Sequence, residues 1–512
     1  MAIPKVCGIE TEYGIISRGF DSNPIVASSV LVNAYSGQFV AAVGWDFVDE
    51  TPGIDARGFH LEDSFPPEVE THLVNTVLTN GARYYVDHAH PEISTPECAT
   101  AREVVLYDRA GEEIIRESMK NASAALPNGH EILTYKNNSD GKGNSYGCHE
   151  NYLVDRDLPF GKLAAHITSH FVTRQIFCGA GKVGTEKPGY LPESIPYQIS
   201  QRADFFEEEI GLETTLRRPI INTRDEPHCN PALYRRLHVI VGDANMSEVA
   251  TYLKVGTTAV VLAMIEDNFI PHNLVLASPL EAILAVSHDP SLVTQIETVA
   301  GQHLTAIQMQ YELLALAIRY RDQKGLACVE GPFGESESSN ILHLWQVVLE
   351  GLESDPTKVA DIVDWVAKRE LINAYSRRHG PAMTLSKAKA IALQYHDMRP
   401  ERCLATRLRL RTLVTHDEAV KATTEPPETT RAYFRGKCLQ KWPNDVVAAN
   451  WDSMVFDLGD EPLRRVPMME PLKGTKLLVE TLISSSHSVR DLIARLGNEA
   501  SSDSTFLTPD VF

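Results

Sequence analysis

Apolar and polar positions along the chain alternate in several short runs and recur at three-four spacing in several long ones. Residues 5–16 alternate and predict one strand whose polar face carries Glu10 and Glu12. Residues 82–86 alternate again, directly after the turn signal Asn80-Gly81. Alternation puts Arg83, Tyr85 and Asp87 on one face and Tyr84 and Val86 on the other. Pro91 and Pro96 then predict a loop holding Glu92, Thr95 and Glu97. Residues 131–154 read as two strand-like ends around a Gly/Asn/Ser-rich loop, the second end carrying His149, Glu150 and Asn151. Arg224 ends a further apolar strand, and Arg236 and His238 share one face of the next.

Three-four spacing predicts helices over 106–125, 248–266, 292–321, 340–352 and 357–378, with Trp345 and Trp365 in the core. Residues 37–64 show no helical or strand period; their turns, with Trp45, Phe47 and Phe59, predict a folding lid. Glu425-Pro426-Pro427-Glu428-Thr429-Thr430 predicts a linker. It divides the chain into a large domain, 1–425, with the insert 37–64, and a small C-terminal domain, 426–512. The latter is expected to hold one helix over 476–496 and a frayed Ser/Asp-rich tail.

Composition narrows the partners. A net charge of −20 over 512 residues argues against wrapping nucleic acid or lying on an anionic membrane. No run approaches the roughly 18 to 20 apolar residues of a membrane span, and the N-terminus lacks a signal-peptide core. The eight cysteines form no CxxC pair, so neither a disulfide framework nor a zinc site is indicated. A cytoplasmic protein is expected.

The chemistry gathers on the strands. Two carboxylates two apart on a strand, such as Glu10 and Glu12, lie roughly 6 to 7 Å from one another and repel unless a cation or arginine intervenes. A solvated acidic face is the alternative. Hard cations want oxygen ligands, phosphates want arginine, and neutral imidazole suits metals. Glu12, His149, Arg224 and His238 are candidates on those grounds. Gly179-Ala-Gly181-Lys-Val-Gly184 matches GxGxxG, but the segment before it reads as helix rather than strand, so it predicts a turn. No serine-triad motif, HExxH or EF-hand loop occurs. Arg399, Arg402, Arg407, Arg409 and Arg411 form the densest basic patch, which either holds an acidic partner or balances local acids. Together these features point to an antiparallel sheet cradle that binds a metal–nucleotide.

Several long motifs resemble the Pup ligase/Pup deamidase family, a relative of the carboxylate-amine ligases around glutamine synthetase. They are Gly-Ile-Glu-Thr-Glu-Tyr-Gly, Asn-Gly-Ala-Arg-Tyr-Tyr-Val-Asp-His-Ala-His-Pro-Glu, Tyr-Gly-Cys-His-Glu-Asn-Tyr, Ile-Asn-Thr-Arg-Asp-Glu-Pro-His and Tyr-Arg-Arg-Leu-His-Val-Ile-Val-Gly-Asp-Ala-Asn, and the likeness covers nearly the whole chain. It implies an α+β fold: a large glutamine-synthetase-like domain with a curved antiparallel cradle packed on helices, plus the small C-terminal domain. Glu10, Tyr85 and Glu92 match the family's magnesium ligands, Arg83, Thr95 and Trp451 its ATP contacts, and Asp87 its essential aspartate. The cofactors implied are ATP or ADP with Mg²⁺, and the partners Pup and pupylated proteins. One branch ligates Pup to lysines. The other deamidates Pup's C-terminal glutamine and removes Pup from proteins. The insert around Trp45-Asp46 and Asp55-Ala-Arg-Gly-Phe59, with Asn450-Trp-Asp-Ser-Met-Val-Phe-Asp-Leu-Gly459, resembles the deamidase branch; Cys148 and Gly179-Ala-Gly-Lys are spelled more like the ligase.

Overall fold

The computed structural model describes residues 1–20, 23–37, 42–48, 50–59, 74–332, 336–380, 383–459 and 462–499. Its frame is a curled ten-stranded sheet. The strands lie in the order Tyr234–Val239, Cys148–Asp155, Cys7–Glu12, His90–Ser94, Arg83–Asp87, Asn75–Val77, Val43–Trp45, Val446–Ala449, Ser453–Phe456 and Arg464–Pro467. Every pairing is antiparallel except that of Val43–Trp45 with Val446–Ala449. The fold is therefore α+β with an antiparallel-dominated sheet.

Three strand expectations change. The run 5–16 breaks at Tyr13 into Cys7–Glu12 and Gly14–Arg18, and the second half pairs with Glu131–Tyr135 in a separate sheet. Gly14 permits the break, since a Cβ there would collide with the Tyr146 hydroxyl. Cys7–Glu12 is a central strand, paired on both sides. His90–Ser94 is a strand and not a loop, despite Pro91. Pro91 faces Val86, whose N–H donates to Val74 on the opposite side, so the hairpin loses no ladder bond at this pair. The Pro91 carbonyl accepts from the Tyr13 N–H. Val43–Trp45, within the stretch read as lacking any strand period, is also a strand.

One face of the sheet is apolar. Ile9, Tyr84, Val86, Ile93, Tyr152, Val154, Leu237 and Val239 are buried in it. Helices Ala101–Ala125 and Glu248–Glu266 belong to the same core and start where Thr100 and Ser247 accept the N–H groups of Glu103 and Ala250. Contrary to the sequence expectation, Glu248–Glu266 is long and apolar enough to cross a membrane, but its apolar window is wholly buried inside the protein. Trp345 and Trp365 are fully buried, as expected of core residues. Residues 292–305 are not helical: a hairpin, Gln295–Glu297 with His303–Thr305, precedes helix Ala306–Lys324, which opens on a Thr305/Gln308 capping box. Downstream, helices Glu337–Ser354 and Asp364–His379 flank a short turn, Pro356–Val359.

The segment after residue 425 extends the sheet with three strands. A second apolar cluster lies at this end, and Val43, Trp45 and Val77 share it with Phe434, Trp442, Met454 and Phe456. Residues 425–430 are pinned rather than free. The Tyr107 hydroxyl donates to the Glu425 carbonyl at 2.9 Å, Thr429 to Glu103, and Thr430 to the Glu97 carbonyl at 2.7 Å. The expected helix over 476–496 is two, Lys476–Ser485 and Val489–Glu499. Lys441 ends the first by donating to the carbonyls of Ile483, Ser484 and Ser486. The tail expected to fray, 501–512, lies outside the described residues.

Glu97 ties this end to the centre. It accepts from Arg431 and Arg435, both buried. Burial alone would raise its carboxyl, but the two guanidinium charges win and hold it down at about 2. A depressed carboxyl contributes stability above its unfolded value near 4.5, and loses it as pH falls towards about 2. Glu97→Gln should therefore lower stability at neutral pH by about 3 kcal/mol. It should also flatten the acid limb of a melting-temperature profile between those two values; an unchanged profile would remove the anchor.

Candidate active site

The other face of the sheet is polar, and strand register assembles it. Directly opposed residues of antiparallel strands share a face. Glu10 opposes Ser94 on one side and His149 on the other, and Glu12 opposes Glu92. Glu92 in turn opposes Tyr85, Ser94 opposes Arg83, and Asp87 opposes His90. His238 opposes Asn151. One surface thus holds groups drawn from five strands and more than 220 residues of sequence.

Two clusters result, in each of which the ligand atoms lie within 4.8 Å of one another. The first is Glu12, Asp87 and Glu92. Burial, with the charges of Asp87, Glu12 and Glu10, pushes the Glu92 carboxyl well above its usual range. Burial would raise Glu12 too, but hydrogen bonds from His90 and the Gly147 N–H hold it at about 2. The Tyr85 hydroxyl hydrogen-bonds that of Ser94 at 3.3 Å, and burial beside Glu92 drives the phenol well up. Asp87 is the open member: its side chain is 29% exposed and meets His88 Nδ1 at 3.0 Å, whereas Glu92 is buried. The second cluster is Glu10, His149 and His238. Burial would raise Glu10, but His149, with Nδ1 3.6 Å away, and the charges of His238 and Arg236 hold it well below the usual carboxylate range. Burial and Arg236 hold His238 neutral.

Three carboxyl groups crowded within 4.8 Å, two of them buried and one pushed well above its usual range, are an excess of negative charge. A divalent cation would resolve it, and the donors are the oxygens hard cations prefer. The groups therefore fit such an ion.

Arg83 leaves the same strand as Tyr85 and Asp87. Its guanidinium lies between the rings of Trp45 and Tyr85, 4.1 and 4.0 Å from their centroids, and donates to Asn75 at 2.9 Å. Trp451 packs edge-on to Trp45 at 5.0 Å. Trp451, Glu10, Thr95, Arg236 and Arg431 line one cavity beside the clusters. Thr95 accepts the Ile9 N–H through Oγ1. Arg224 stands further out and pairs as a β-bridge with Asp55; its buried Nε has no partner among the described residues.

The insert reaches this site. Thr223 and Arg57 donate to the Asp55 carboxylate, Ala56 N–H donates to Thr223, and Asp225 N–H to Ile54. Trp45 donates to Glu50 at 2.6 Å. Of the insert, 38–41, 49 and 60–64 lie outside the described residues.

Four groups join the site beyond its sequence candidates: Asn151 and Arg236, which the sequence already places on their strands, and Glu226 and His90. Asn151 donates to Glu10 at 2.7 Å and shares its carbonyl oxygen with His238 and Arg236. Arg236 and Glu226 form a further ion pair, and His90 holds Glu12. Asn151 and Arg236 sat at alternating positions beside His149 and His238, a signal that was available. His90 was hidden because Pro91 made its strand read as loop. Of the basic patch, Arg399 and Arg411 pair with Asp397 and Asp361, while Arg402, Arg407 and Arg409 are exposed.

The cradle has counterparts among known proteins. The chain is 49% identical over 509 residues to a depupylase of Acidothermus cellulolyticus, covering 96% of this chain and 99% of that one. It is 42% identical to a Pup deamidase/depupylase of Mycolicibacterium smegmatis, covering 96% and 100%. Among solved structures, the Pup ligase PafA in complex with Pup superposes with a TM-score of 0.78 at 30% identity, covering 97% of this chain and 94% of that one. PafA in complex with ADP gives 0.72 at 33% identity, covering 86% and 98%. The family model described as Pup-ligase protein matches residues 5–455, a span that includes every residue placed on the cradle above, and the chain belongs to that family.

Proposed function

We propose that the chain is an ATP- and Mg²⁺-dependent amidohydrolase that converts the C-terminal glutamine of Pup to glutamate and cleaves the isopeptide joining Pup to lysine. Both bonds are side-chain amides of the same terminal residue, so one site serves both. The observation that carries this reading is Asp87: an accessible carboxylate among buried ones, in a chain 49% identical to a depupylase. Glu10, Tyr85 and Glu92 would hold magnesium, with Glu12, His149 and His238 completing its surroundings. Arg83, Thr95, Trp451 and Arg224 would contact the nucleotide. Bound there, the ion would polarise the amide carbonyl and stabilise the oxyanion. Asp87 either attacks that carbonyl or takes a proton from water that does so, and His88 orients it. Hydrolysis of an amide runs downhill, so the nucleotide organises the site rather than driving the reaction.

Residues 426–512 act in this reading as a C-terminal domain that brings Trp451 to the nucleotide. Exposed Arg402, Arg407 and Arg409 give acidic Pup part of its docking surface. The eight unpaired cysteines fit a reducing cytoplasm. A Pup ligase on the same cradle is the second reading, favoured by the superposition on PafA. Incubation with ATP, Mg²⁺ and either glutamine-ended Pup or a pupylated protein separates the two. Released ammonia or freed Pup supports hydrolysis; new conjugates support ligation.

Asp87→Asn should lower ammonia release and depupylation on the order of a thousandfold while nucleotide affinity stays within about threefold of wild type. Turnover near wild type would take Asp87 out of the mechanism. Glu10→Ala and Glu92→Ala should move the midpoint of a Mg²⁺ titration of nucleotide binding upward by about tenfold or more. Unmoved midpoints would leave both as ordinary carboxylates.

The insert gates this site. Because Trp45 is buried in the sheet, the gating part begins after it. Asp55→Ala removes the latch to Thr223 and Arg57. It should leave the melting temperature within about 2 °C of wild type. It should also speed tryptic cleavage at Arg57 and change the turnover rate. Outright unfolding would make the insert part of the core, and wild-type cleavage and turnover would make it inert.

A further inference from the structure

Arg435 is 0% exposed and sits in helix Ala432–Lys441, outside the face that carries the clusters. Its guanidinium has five N–H donors, and all five are used. Nε and Nη2 donate to the Gly81 carbonyl at 3.2 and 2.9 Å. Nη1 donates to Glu97 at 3.3 Å and to the Trp451 carbonyl at 3.1 Å, and the fifth bond runs from Nη2 to Glu97. The same group lies 5.2 Å from the Trp451 ring centroid.

Two of these partners, Glu97 and Trp451, line the cavity, and the third leads into the strand that carries Arg83. Gly81 is the turn from which the strand Arg83–Asp87 departs. Its φ is +82°, and a Cβ there would lie 3.1 Å from that of Ala432, so the turn and the helix touch directly. Glu97 follows Thr95 by two residues and is shared with Arg431. Trp451 completes the far wall against Trp45. A lysine would keep the charge but not the fork, so it could not hold all three at once.

We infer that Arg435 is a positioning residue for nucleotide binding: it fixes the Trp451 backbone and ring relative to the strand that carries Arg83 and Asp87. The inference rests on the reading that Trp451 contacts the nucleotide. Because Arg435 is 0% exposed, it would act on a bound nucleotide only through Trp451, setting affinity and leaving the chemical step alone.

A double-mutant cycle on the full-length protein tests it, with ADP affinity measured by calorimetry and ammonia release from glutamine-ended Pup measured at saturating ATP. Arg435→Lys and Trp451→Ala should each weaken ADP about tenfold, and Arg435→Lys should keep kcat at saturating ATP within about threefold. The double variant should bind no more weakly than Trp451→Ala alone, because the two residues act through one contact. Losses that multiply, or wild-type affinity in Arg435→Lys, overturn the proposal. So does wild-type affinity in Trp451→Ala, and that result removes Trp451 from the nucleotide site as well. If Arg435→Lys does not fold, Glu97→Gln takes its place in the cycle under the same criteria. The affinity pattern with no ammonia release from the wild type supports the positioning role while the hydrolase reading fails.

Discussion

The structure depends on a pair of glutamates set directly opposite each other. Glu12 and Glu92 face across two central strands, and Asp87 joins them from a third. Like charges opposed across a ladder destabilise it. The polar face therefore works against the sheet that displays it. What holds the sheet is its other face, where Ile9, Tyr84, Ile93, Tyr152 and Leu237 are removed from water. A cradle of this kind keeps its acids close because the core behind it is large enough to carry the strain.

The two faces treat charge differently. On the core side, Glu150 is fully buried, yet Arg174 meets both of its oxygens and the Tyr152 hydroxyl donates to it. Lys136 is likewise closed between Asp108 and Glu112. These groups are satisfied and inert. On the site side burial and the charges of Asp87, Glu12 and Glu10 push the Glu92 carboxyl well above its usual range, and the Nε of Arg224 is buried without a partner among the described residues. Imbalance of this sort marks the place where a ligand supplies the missing charge. The proposed reading of a metal–nucleotide organising an amide hydrolysis follows from that asymmetry.

The far end of the sheet is built differently again. Val43–Trp45 comes from the insert and pairs in parallel with a strand some 400 residues later in the chain. Apolar side chains from both segments fill one cluster, and Glu97 with its two arginines locks that end to the centre. The insert is therefore in part a strand of the sheet and in part a segment bonded through Asp55 to Thr223 and Arg224.

Much of this was legible in the sequence. Alternation alone placed Arg83, Tyr85 and Asp87 on one face, and Glu10 with Glu12 on another strand, because side-chain direction in a strand repeats every two residues whatever lies beside it. The long motifs carried the family. Other features had no local signal. Pro91 argued for a loop, and only the pairing of Val86 away from it shows why a proline is tolerated there. The hairpin at 295–305 carried apolar spacing that a helix would share. Glu248–Glu266 reads as a helix but not as one long and apolar enough to cross a membrane, which it is, and only the tertiary structure shows it wholly buried. Sequence by itself determined which side chains share a face within each strand. Tertiary structure alone decided which strands stand side by side, and hence that Glu92 opposes Glu12, that His149 opposes Glu10, and that Arg435 reaches both Gly81 and Trp451. The reason is that register between strands far apart in the chain is set by the fit of the whole core, and no short stretch of residues contains that information.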